Sequence, residues 1–557
     1  MKRKRLGNVI RGSLLEGLEM KLAPDVSLER VKAGKFLVVE GEEYDFFSII
    51  TDLRLAATNE QLLSNPPNFS NDLLRAVISG TGTYAVVSLR PMLMFERAAR
   101  KNGEPLEPEP VKTIPAHFSV VAEASGDDVA LIFGSEELNA ATGRKHFFIG
   151  TPLDMQAPVC LDLKKFAERS SAVFGRTGTG KTFITRLLLA GFIHTDAAVN
   201  LVFDAHNEYG TKGTFEGEGQ THVKGLQPLF AHRGKVKVYS LDKEGTENRG
   251  ARCDREVRLS IEQIEPEDIL LLQEELRLNP TAAEYAHILK GAFGKRWLAE
   301  FMALMDSGDQ ALIGEFAEKR NLLVSSMQAL WRRLNRLREQ CRFLDFNPQE
   351  GKLDVIDDMI GDLLAGVSVV VEFGKYDDMT SYLLVANVIT RRVEEAYKTR
   401  TENYLRTQNE LDKPKQLVIT IEEAHKFLSP RAASQTSFGK IARELRKYYV
   451  SLLLVDQRPS GIHDEILSQI GTKIVAALSD EKDINAVLSG VSNAGGMRSI
   501  LASLDTKQQA LIMGHAVPMP VVIRTRDYDQ AFYEAMGHLE GEKRRAKAYA
   551  DINKLYD

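Results

Sequence analysis

Eight consecutive residues, 175–182, have the types and the spacing of a phosphate-binding loop. They read Gly-Arg-Thr-Gly-Thr-Gly-Lys-Thr and match the pattern Gly-x-x-x-x-Gly-Lys-[Ser/Thr]. In that pattern backbone N–H groups surround a nucleotide β-phosphate, and the glycines allow positive φ angles and close approach. The sequence therefore predicts a nucleotide site built from the whole loop and the residue after it: Gly175, Arg176, Thr177, Gly178, Thr179, Gly180, Lys181, Thr182 and Phe183.

Two residues of this loop have specific predicted roles. Lys181 is expected to neutralise the β- and γ-phosphates, and Thr182 to place its hydroxyl on Mg²⁺. The loop follows an apolar run at 171–174, which indicates a buried strand, and precedes an apolar helix start at 183–190. This order brings the helix N-terminus, with its partial positive charge, to the phosphates. It favours ATP with Mg²⁺ over the alternative of a glycine-rich turn without nucleotide.

A second chemical signal is a pair of carboxylates at the end of an apolar strand candidate at 417–421. In open α/β sheets, ligands bind outside the carboxyl ends of the strands. Glu422 is therefore predicted to hold Mg²⁺, directly or through water, and Glu423 to orient and deprotonate the attacking water. The alternative is a strand that ends in a solvated Glu-Glu pair, and the phosphate loop upstream disfavours it.

Polar residues follow two further strand candidates. Gln457 follows the run 451–455, and it is predicted to sense the γ-phosphate or position water, whereas Asp456 receives no definite role. The run 201–203 is followed by Asp204 and Glu208, which we assign to the nucleotide site. A zinc site is disfavoured here because no matching set of cysteines and histidines exists elsewhere.

The pattern of apolar runs divides the chain into regions. Short β-branched or aromatic runs in the first part predict a small β-barrel or sandwich, with strands at 35–40, 44–50, 84–90, 118–121 and 129–133. Strands and helices then alternate, which predicts an α/β core with a mainly parallel sheet. The predicted domains are a barrel at 1–150, core at 151–260, a helical insertion at 261–345, core at 346–530 and a helical tail at 531–557.

Two polar stretches are given structural interpretations. The insertion carries four arginines that could touch nucleic acid, although a solvated helix face is favoured: Arg332, Arg333, Arg336 and Arg338. The segment 400–415 is predicted to be a loop before the next strand.

Composition limits the classes of protein and of partner. The 557 residues are 43% hydrophobic and 27% charged, which is typical of a soluble globular protein. Three scattered cysteines give no disulfide framework, so we expect a reducing, cytoplasmic location. No apolar stretch approaches the roughly 20 residues that span a bilayer. The net charge of −5 argues against a globally basic surface, but a local positive lining stays possible.

Four motifs in chain order resemble those of the HerA group of hexameric DNA translocases, which belong with FtsK-type motors. They are the phosphate loop, the strand ending at 203–209, Ile-Glu-Glu-Ala-His at 421–425 and Val-Asp-Gln-Arg-Pro at 455–459. The resemblance implies a P-loop (RecA-like) ATPase core, a ring of six subunits and ATP at their interfaces. It also implies a trans-acting arginine in the segment 441–448, for which Arg446 is our choice and Arg443 the reserve. One departure is Glu422, where aspartate is commoner in phosphate-loop proteins.

The resemblance further implies that the protein moves double-stranded DNA with a partner docked on the barrel. That partner could be a NurA-type nuclease in DNA-end processing or an effector in antiphage defence. Two other functions stay open: a secretion-type motor related to conjugative ATPases, and an ATP-binding scaffold that organises the oligomer of a partner. The sequence assigns no DNA-contacting residues.

Overall fold

The computed structural model describes residues 3–59, 64, 82–97, 108–214, 222–346, 354–434, 436–491 and 494–539. The chain forms two compact units, each of which is described separately here. The first contains residues 1–166, 173–181 and 471–526, and the second contains 167–172, 182–470 and 527–557. Most of the tail predicted at 531–557 lies outside the described residues.

The strands in the described part of the chain run from the N-terminus to residue 525. The first ten are β1 Arg5–Ser13, β2 Gly17–Leu22, β3 Phe36–Glu40, β4 Tyr44–Ala57, β5 Thr83–Glu96, β6 Glu109–Pro110, β7 Val120–Glu123, β8 His146–Pro152, β9 Val159–Asp162 and β10 Ser171–Phe174. The others are β11 Val199–Asp204, β12 Lys212–Thr214, β13 His222–Lys224, β14 Val236–Ser240, β15 Arg255–Glu256, β16 Leu259–Ser260, β17 Leu344–Asp345, β18 Ser368–Glu372, β19 Leu417–Glu422, β20 Val450–Asp456, β21 Thr472–Val475, β22 Gln509–Gly514 and β23 Val521–Thr525.

The α-helices of the same part are numbered in chain order. They are α1 Gly126–Phe133, α2 Asn139–Thr142, α3 Leu163–Ala167, α4 Lys181–Thr195, α5 Leu226–Leu229, α6 Lys243–Asn248, α7 Pro266–Leu271, α8 Pro280–Phe293, α9 Trp297–Asp306, α10 Gln310–Lys319, α11 Val324–Gln340, α12 Val355–Leu364, α13 Met379–Thr407, α14 His425–Leu428, α15 Ser437–Glu444, α16 Asp464–Gln469, α17 Glu481–Leu488, α18 Ala494–Ala502 and α19 Gln530–Ala535. None of them is long and apolar enough to cross a bilayer.

The N-terminal part of the first unit is a closed antiparallel barrel. Its strand order is β2-β1-β7-β3-β4-β5, the circle closes through antiparallel pairing of β2 with β5, and β6 adds beside β5. Side chains on alternate positions point inward, and Met20, Leu37, Ile50 and Val87 are almost completely buried in its core. The predicted small β-barrel is therefore confirmed. The same unit also contains an antiparallel run of strands in the order β21-β22-β23-β8-β9.

The strand predicted at 129–133 is wrong, because these residues belong to the helix α1. Ser125 caps the helix by accepting a hydrogen bond from the Asp128 N–H at 3.2 Å, and the Asp128 carboxylate accepts one from the Ser125 N–H at 2.8 Å. This reciprocal capping box starts a helix ahead of the apolar run. Val129 and Phe133 are then buried at helical spacing, so an apolar run alone misled the prediction.

The second unit is built on a parallel sheet with the strand order β15-β14-β18-β11-β19-β20. Every pairing in this order is parallel, which confirms the predicted α/β core with a mainly parallel sheet. Between β16 and β17 the chain forms only helices, from α7 to α11, together with short 3₁₀ turns. The segment 400–415 is only partly a loop. The helix α13 continues to Thr407, where Gln408 takes a left-handed conformation with a φ of 53°.

Arg3 joins the N-terminus of the barrel to a group of buried carboxylates. Its guanidinium donates to both oxygens of Asp128 at 2.8 and 3.0 Å, to Asp45 at 2.9 Å and to Glu40 at 3.1 Å. The Arg3 side chain is only 9% exposed and that of Asp128 is fully buried. Burial alone would raise the pKa of Asp128, but hydrogen bonds from Arg3 and Ser125 outweigh it and lower this pKa to about 2.

We expect Arg3→Ala to destabilise the barrel by about 3–5 kcal/mol, because it leaves the buried Asp128 carboxylate without a counter-charge. Without Arg3, burial raises the pKa of Asp128, so the loss is larger at pH 8 than at pH 5. Urea denaturation at both pH values measures it. Lys4→Ala is the matched control, since the neighbouring Lys4 is exposed. Equal effects of the two substitutions would contradict the prediction.

Candidate functional site

The phosphate loop lies in the first unit, except for Thr182. Glycine is required at its three glycine positions for two different structural reasons. Gly178 and Gly180 have φ angles of 78° and 94°, in the region that favours glycine. Gly175 does not have a positive φ, and close approach is what requires glycine at this position. A Cβ atom there would come within 2.7 Å of Thr179 Oγ1 and 2.9 Å of Ala476 Cβ, so close packing requires this glycine.

Internal hydrogen bonds hold the loop in shape. The Thr179 hydroxyl donates to the Arg176 carbonyl at 2.7 Å, and the Arg176 N–H donates to the Ala477 carbonyl at 3.1 Å. A Cβ atom built on Gly180 would have no neighbour within 4 Å, so this face of the loop is open. Helix α4 begins at Lys181, as the strand-loop-helix pattern predicted. The loop therefore presents an open backbone surface at a helix N-terminus, which suits a phosphate group.

In the second unit, helix α4 is bonded to the loop that follows β11. Arg186 is 1% exposed, and its guanidinium donates to the Glu208 carbonyl at 2.7 and 3.1 Å. The Arg186 guanidinium also lies 5.1 Å from the ring centroid of Phe183, which packs edge-to-face against Tyr528. Phe183 thus contacts protein groups, and its assignment to the nucleotide site stays a prediction.

Asp204 also forms hydrogen bonds with the loop that follows β11. It is fully buried, and its carboxylate accepts hydrogen bonds from the N–H groups of Glu208, Tyr209 and Gly210 at 2.7–3.0 Å. Its pKa is raised to about 7, first by burial and then by the neighbouring carboxylates Glu372 and Glu422. In this structure Asp204 orders the loop, while Glu208 is partly exposed. Their roles as nucleotide ligands stay predictions.

Glu422 is held in place by two tyrosines. The Tyr209 hydroxyl donates to Glu422 Oε1 at 2.8 Å. The Tyr382 hydroxyl accepts from the Glu422 N–H at 2.9 Å and donates to the Glu422 carbonyl at 3.2 Å. Both tyrosines are buried, so the carboxylate at the end of β19 has a fixed orientation.

Glu423 follows Glu422 but has a different environment. Its side chain is 32% exposed and its φ is 47°, a left-handed conformation unusual for a residue other than glycine. The Gln457 amide donates to Glu423 Oε1 at 3.4 Å, so the structure brings the predicted base and the predicted sensor together. An exposed carboxylate beside an amide can hold a water molecule for attack on a phosphate.

A histidine and an aspartate complete this corner of the second unit. Asp456 is 1% exposed and accepts hydrogen bonds from the His425 N–H at 2.6 Å, His425 Nδ1 at 3.0 Å and the Arg458 N–H at 2.7 Å. The hydrogen bond to Asp456 raises the pKa of the His425 imidazole against the opposing effect of burial. His425 Nδ1 also lies 3.6 Å from Glu423 Oε2. His425 therefore lies between the Asp456 and Glu423 carboxylates.

The two candidate trans-acting arginines differ in exposure. Arg446 is exposed, in the 3₁₀ turn Leu445–Tyr448. Its guanidinium has no hydrogen bond or ion pair to any residue of the described chain. Arg443 is partly buried in α15, and its guanidinium donates to the Ala433 carbonyl at 3.5 Å. The second unit therefore leaves Arg446 available to another molecule and gives Arg443 a contact within its own chain.

Several residues of the site were not found from the sequence. Tyr209 and His425 lie inside the motifs that we quoted, but their side-chain partners could not be read from spacing. Arg186 could have been noticed in the sequence, because it is a basic residue within the apolar start of a helix. Tyr382 carried none, because it reaches Glu422 from 40 residues away in the chain.

The donor set in the second unit fits a hard divalent cation. Thr182 and Glu422 offer a hydroxyl and a carboxylate, the oxygen ligands that Mg²⁺ takes in proteins. Burial, and then the neighbouring carboxylates Glu372 and Glu422, raise the pKa of Asp204, and a cation would relieve the repulsion among these carboxylates. Glu423, His425 and Asp456 also bring three possible ligand atoms within 4.8 Å of one another. We assign them no ion, because His425 and Asp456 are hydrogen-bonded to each other.

Comparisons with known proteins agree with the motifs. A family model described as the central domain of the helicase HerA matches residues 147–393. A DNA double-strand break repair helicase HerA of Sulfolobus acidocaldarius is 26% identical over 419 residues, which cover 74% of this chain and 75% of that relative. The protein of the same name from Sulfurisphaera tokodaii is 24% identical over 532 residues and 93% of each chain.

Residues 147–393 thus match the central domain of HerA, and the chain is similar to HerA helicases over most of its length. The predicted resemblance to HerA is confirmed, and the chain is an ATP-hydrolysing enzyme, as the phosphate loop indicated. Among solved structures, this ATPase is similar to the bacterial conjugative coupling protein TrwB, with 13% identity and a TM-score of 0.44. The similarity covers 76% of this chain and 95% of TrwB, and at this level it supports no inference.

We expect Asp456→Asn to lower the pKa of His425, because the substitution removes the carboxylate that favours the imidazolium. In the wild type the stabilisation from this pair is fully present below about pH 6.5, the ordinary pKa of histidine, and is lost as the pH rises through the raised value. NMR titration of ¹³C-labelled histidine measures the pKa, with His425→Gln to assign the signal. An unchanged pKa in Asp456→Asn would show that Asp456 does not control the imidazole.

Proposed function

We propose that this ATPase, which is similar to HerA helicases, is a DNA translocase that works on double-stranded DNA. The observation that carries the proposal is a complete phosphate loop together with an acidic strand end, in a chain that aligns over 93% of its length with a helicase named for DNA double-strand break repair. The parallel sheet of the second unit supports it, because its strands end in the residues that hydrolysis needs.

The phosphate loop and the residues at the ends of β19 and β20 then have defined roles. The loop 175–182 binds the phosphates through its N–H groups, and Lys181 neutralises the β- and γ-phosphates. Thr182 and Glu422 hold Mg²⁺, which supplies positive charge to the phosphate oxygens when it is bound. Glu423 takes a proton from the attacking water, and Gln457 orients that water beside it. Tyr209 and Tyr382 keep Glu422 from turning away.

We further propose that six copies form a ring in which Arg446 of one subunit completes the site of the next. The exposure of Arg446 and the absence of a partner within the described chain support this choice over Arg443. A guanidinium from a neighbour can neutralise charge on the transferred phosphoryl group, which is worth about 10³–10⁵ in rate in analogous enzymes.

The barrel is proposed to dock a partner protein, either a nuclease in DNA-end processing or an antiphage effector. Three large apolar side chains on the barrel support a docking role, since they are far more exposed than ordinary core residues: Leu14 at 47%, Leu15 at 86% and Leu55 at 81%. Leu14 and Leu15 are adjacent in the chain, and exposed apolar side chains of this size can contribute to a protein–protein contact. Neither partner is favoured by a specific contact.

We expect Glu423→Gln to lower the rate of ATP hydrolysis by about 10²–10⁴-fold, because glutamine cannot accept the proton of the attacking water. ATP binding should persist, since the phosphate loop is intact. Steady-state hydrolysis is measured with and without long duplex DNA at low and moderate salt. Wild-type turnover that ignores DNA would contradict the translocase, and normal turnover in Glu423→Gln would contradict the catalytic role.

Arg446→Ala is expected to reduce hydrolysis by about 10³–10⁵-fold if the arginine acts on the transferred phosphoryl group. A mixture of Arg446→Ala with Glu423→Gln should recover part of the activity, because mixed rings contain interfaces with both residues intact. Arg443→Ala serves as the comparison variant and should have the smaller effect. If the mixture recovers nothing, Arg446 does not act between subunits.

A further inference from the structure

A pocket on the helical insertion is lined mainly by arginine. It has a volume of about 460 Å³, and six residues from two segments of the second unit form its wall: Arg277, Leu278, Asn279, Ala329, Arg332 and Arg333. The first three precede helix α8 and the others lie on α11. We call these six residues the arginine pocket.

The scaffold under the pocket is fixed by packing. Leu330, Leu334 and Leu337 bury the opposite face of α11, and the Tyr285 hydroxyl of α8 accepts a hydrogen bond from the Leu323 N–H at 3.0 Å, just before α11 begins. Arg277 has a φ of 50°, so the backbone turns sharply at the edge of the pocket. The guanidinium groups are thus presented by well-packed segments, which lowers the entropy lost when they bind a ligand.

The charges of the pocket are not neutralised within the described chain. No carboxylate lines it, and the guanidinium groups of Arg277, Arg332 and Arg333 form no ion pair or hydrogen bond with any residue that the structure describes. Arg338, on the same helix, shows the contrast, because it donates to Asp306 at 2.8 Å. Guanidinium groups keep their charge at every ordinary pH, so three of them around one cavity repel one another until an anion enters.

The lining indicates which anion fits. Guanidinium groups bind phosphate through paired N–H donors, and Asn279 adds an amide that can donate as well. A protein partner would need a large apolar or aromatic anchor, but the only apolar lining residues are Leu278, which is 7% exposed, and the small Ala329. These features favour a phosphodiester over the carboxylates of an acidic protein.

We propose that the arginine pocket binds a backbone phosphate of nucleic acid without reading the bases. The inference rests on the proposed function, and it adds a contact in the helical insertion, away from the phosphate loop in sequence. Arg336 is exposed one helical turn beyond Arg332, so the positive surface continues along α11. A chain with a net charge of −5 gains a local anion-binding surface in this way.

The test is equilibrium binding of a labelled DNA duplex to the full-length protein over a series of salt concentrations. The triple variant Arg277→Gln, Arg332→Gln, Arg333→Gln should bind duplexes of different sequence more weakly by the same factor. The slope of log K against log salt should become less negative by about 1, because about one counterion is released for each phosphate contact. Hydrolysis of ATP without DNA should be unchanged.

Two further variants separate charge from structure. Arg338→Gln removes an exposed arginine of the same helix that is already paired with Asp306, and it should leave the salt slope as it is. Arg277→Lys, Arg332→Lys, Arg333→Lys keeps the charge, and it should retain most of the slope. Equal losses in all three variants would indicate a general effect on the helical insertion and overturn the proposal.

The outcomes also separate this proposal from the proposed function. If the wild type does not bind or respond to DNA, the translocase itself is wrong. If the wild type binds DNA and the glutamine triple variant binds it equally well, the arginine pocket is not a DNA contact, while the translocase stands. Loss of binding to an acidic protein with DNA binding intact would assign the pocket to a protein partner and overturn the inference.

Discussion

Like charge at one edge of the parallel sheet is the constraint on which the second unit depends. Four neighbouring strands, in the order β18-β11-β19-β20, end in the carboxylates Glu372, Asp204, Glu422 and Asp456. All four side chains are at most 9% exposed. Buried carboxylates are tolerated only when donors compensate them, so the segments after these strands must fold to supply N–H and O–H groups.

Each of the four carboxylates accepts hydrogen bonds from a different set of donors. Glu372 accepts from the hydroxyls of Thr211 and Thr246 at 3.2 and 3.0 Å, and from Arg249 at 3.0 Å. Asp204 collects three backbone N–H groups, while Glu422 and Asp456 use tyrosine and histidine. The segment after Asp204 donates hydrogen bonds to two carboxylates, since the Tyr209 N–H bonds to Asp204 and the Tyr209 hydroxyl bonds to Glu422. The positions of these two carboxylates are therefore coupled. Charge compensation thus places the functional side chains and holds them still.

The sequence predicted best those features that depend on residues close together in the chain. The phosphate loop and the strands predicted at 201–203, 417–421 and 451–455 depend on glycine conformation and on short apolar runs, which can be read from neighbouring residues. Residues 129–133 show the limit, since a capping box turned an apolar run into a helix. The roles of Arg3, Arg186 and Tyr382 could not be predicted, because their partners lie distant in the chain and only the folded structure brings them together.

The backbone conformation of Glu423, beside the carboxylates at the sheet edge, affects which amino acids are favoured at this position. Its φ of 47° belongs to a region that costs an ordinary residue about 1–2 kcal/mol and costs glycine almost nothing. Asparagine also tolerates this region better than glutamate. Selection for heat resistance alone would therefore favour glycine or asparagine at position 423. In the proposed role of Glu423 as the catalytic base, selection for turnover would favour glutamate, so stability and enzymatic rate would make opposite demands on this position.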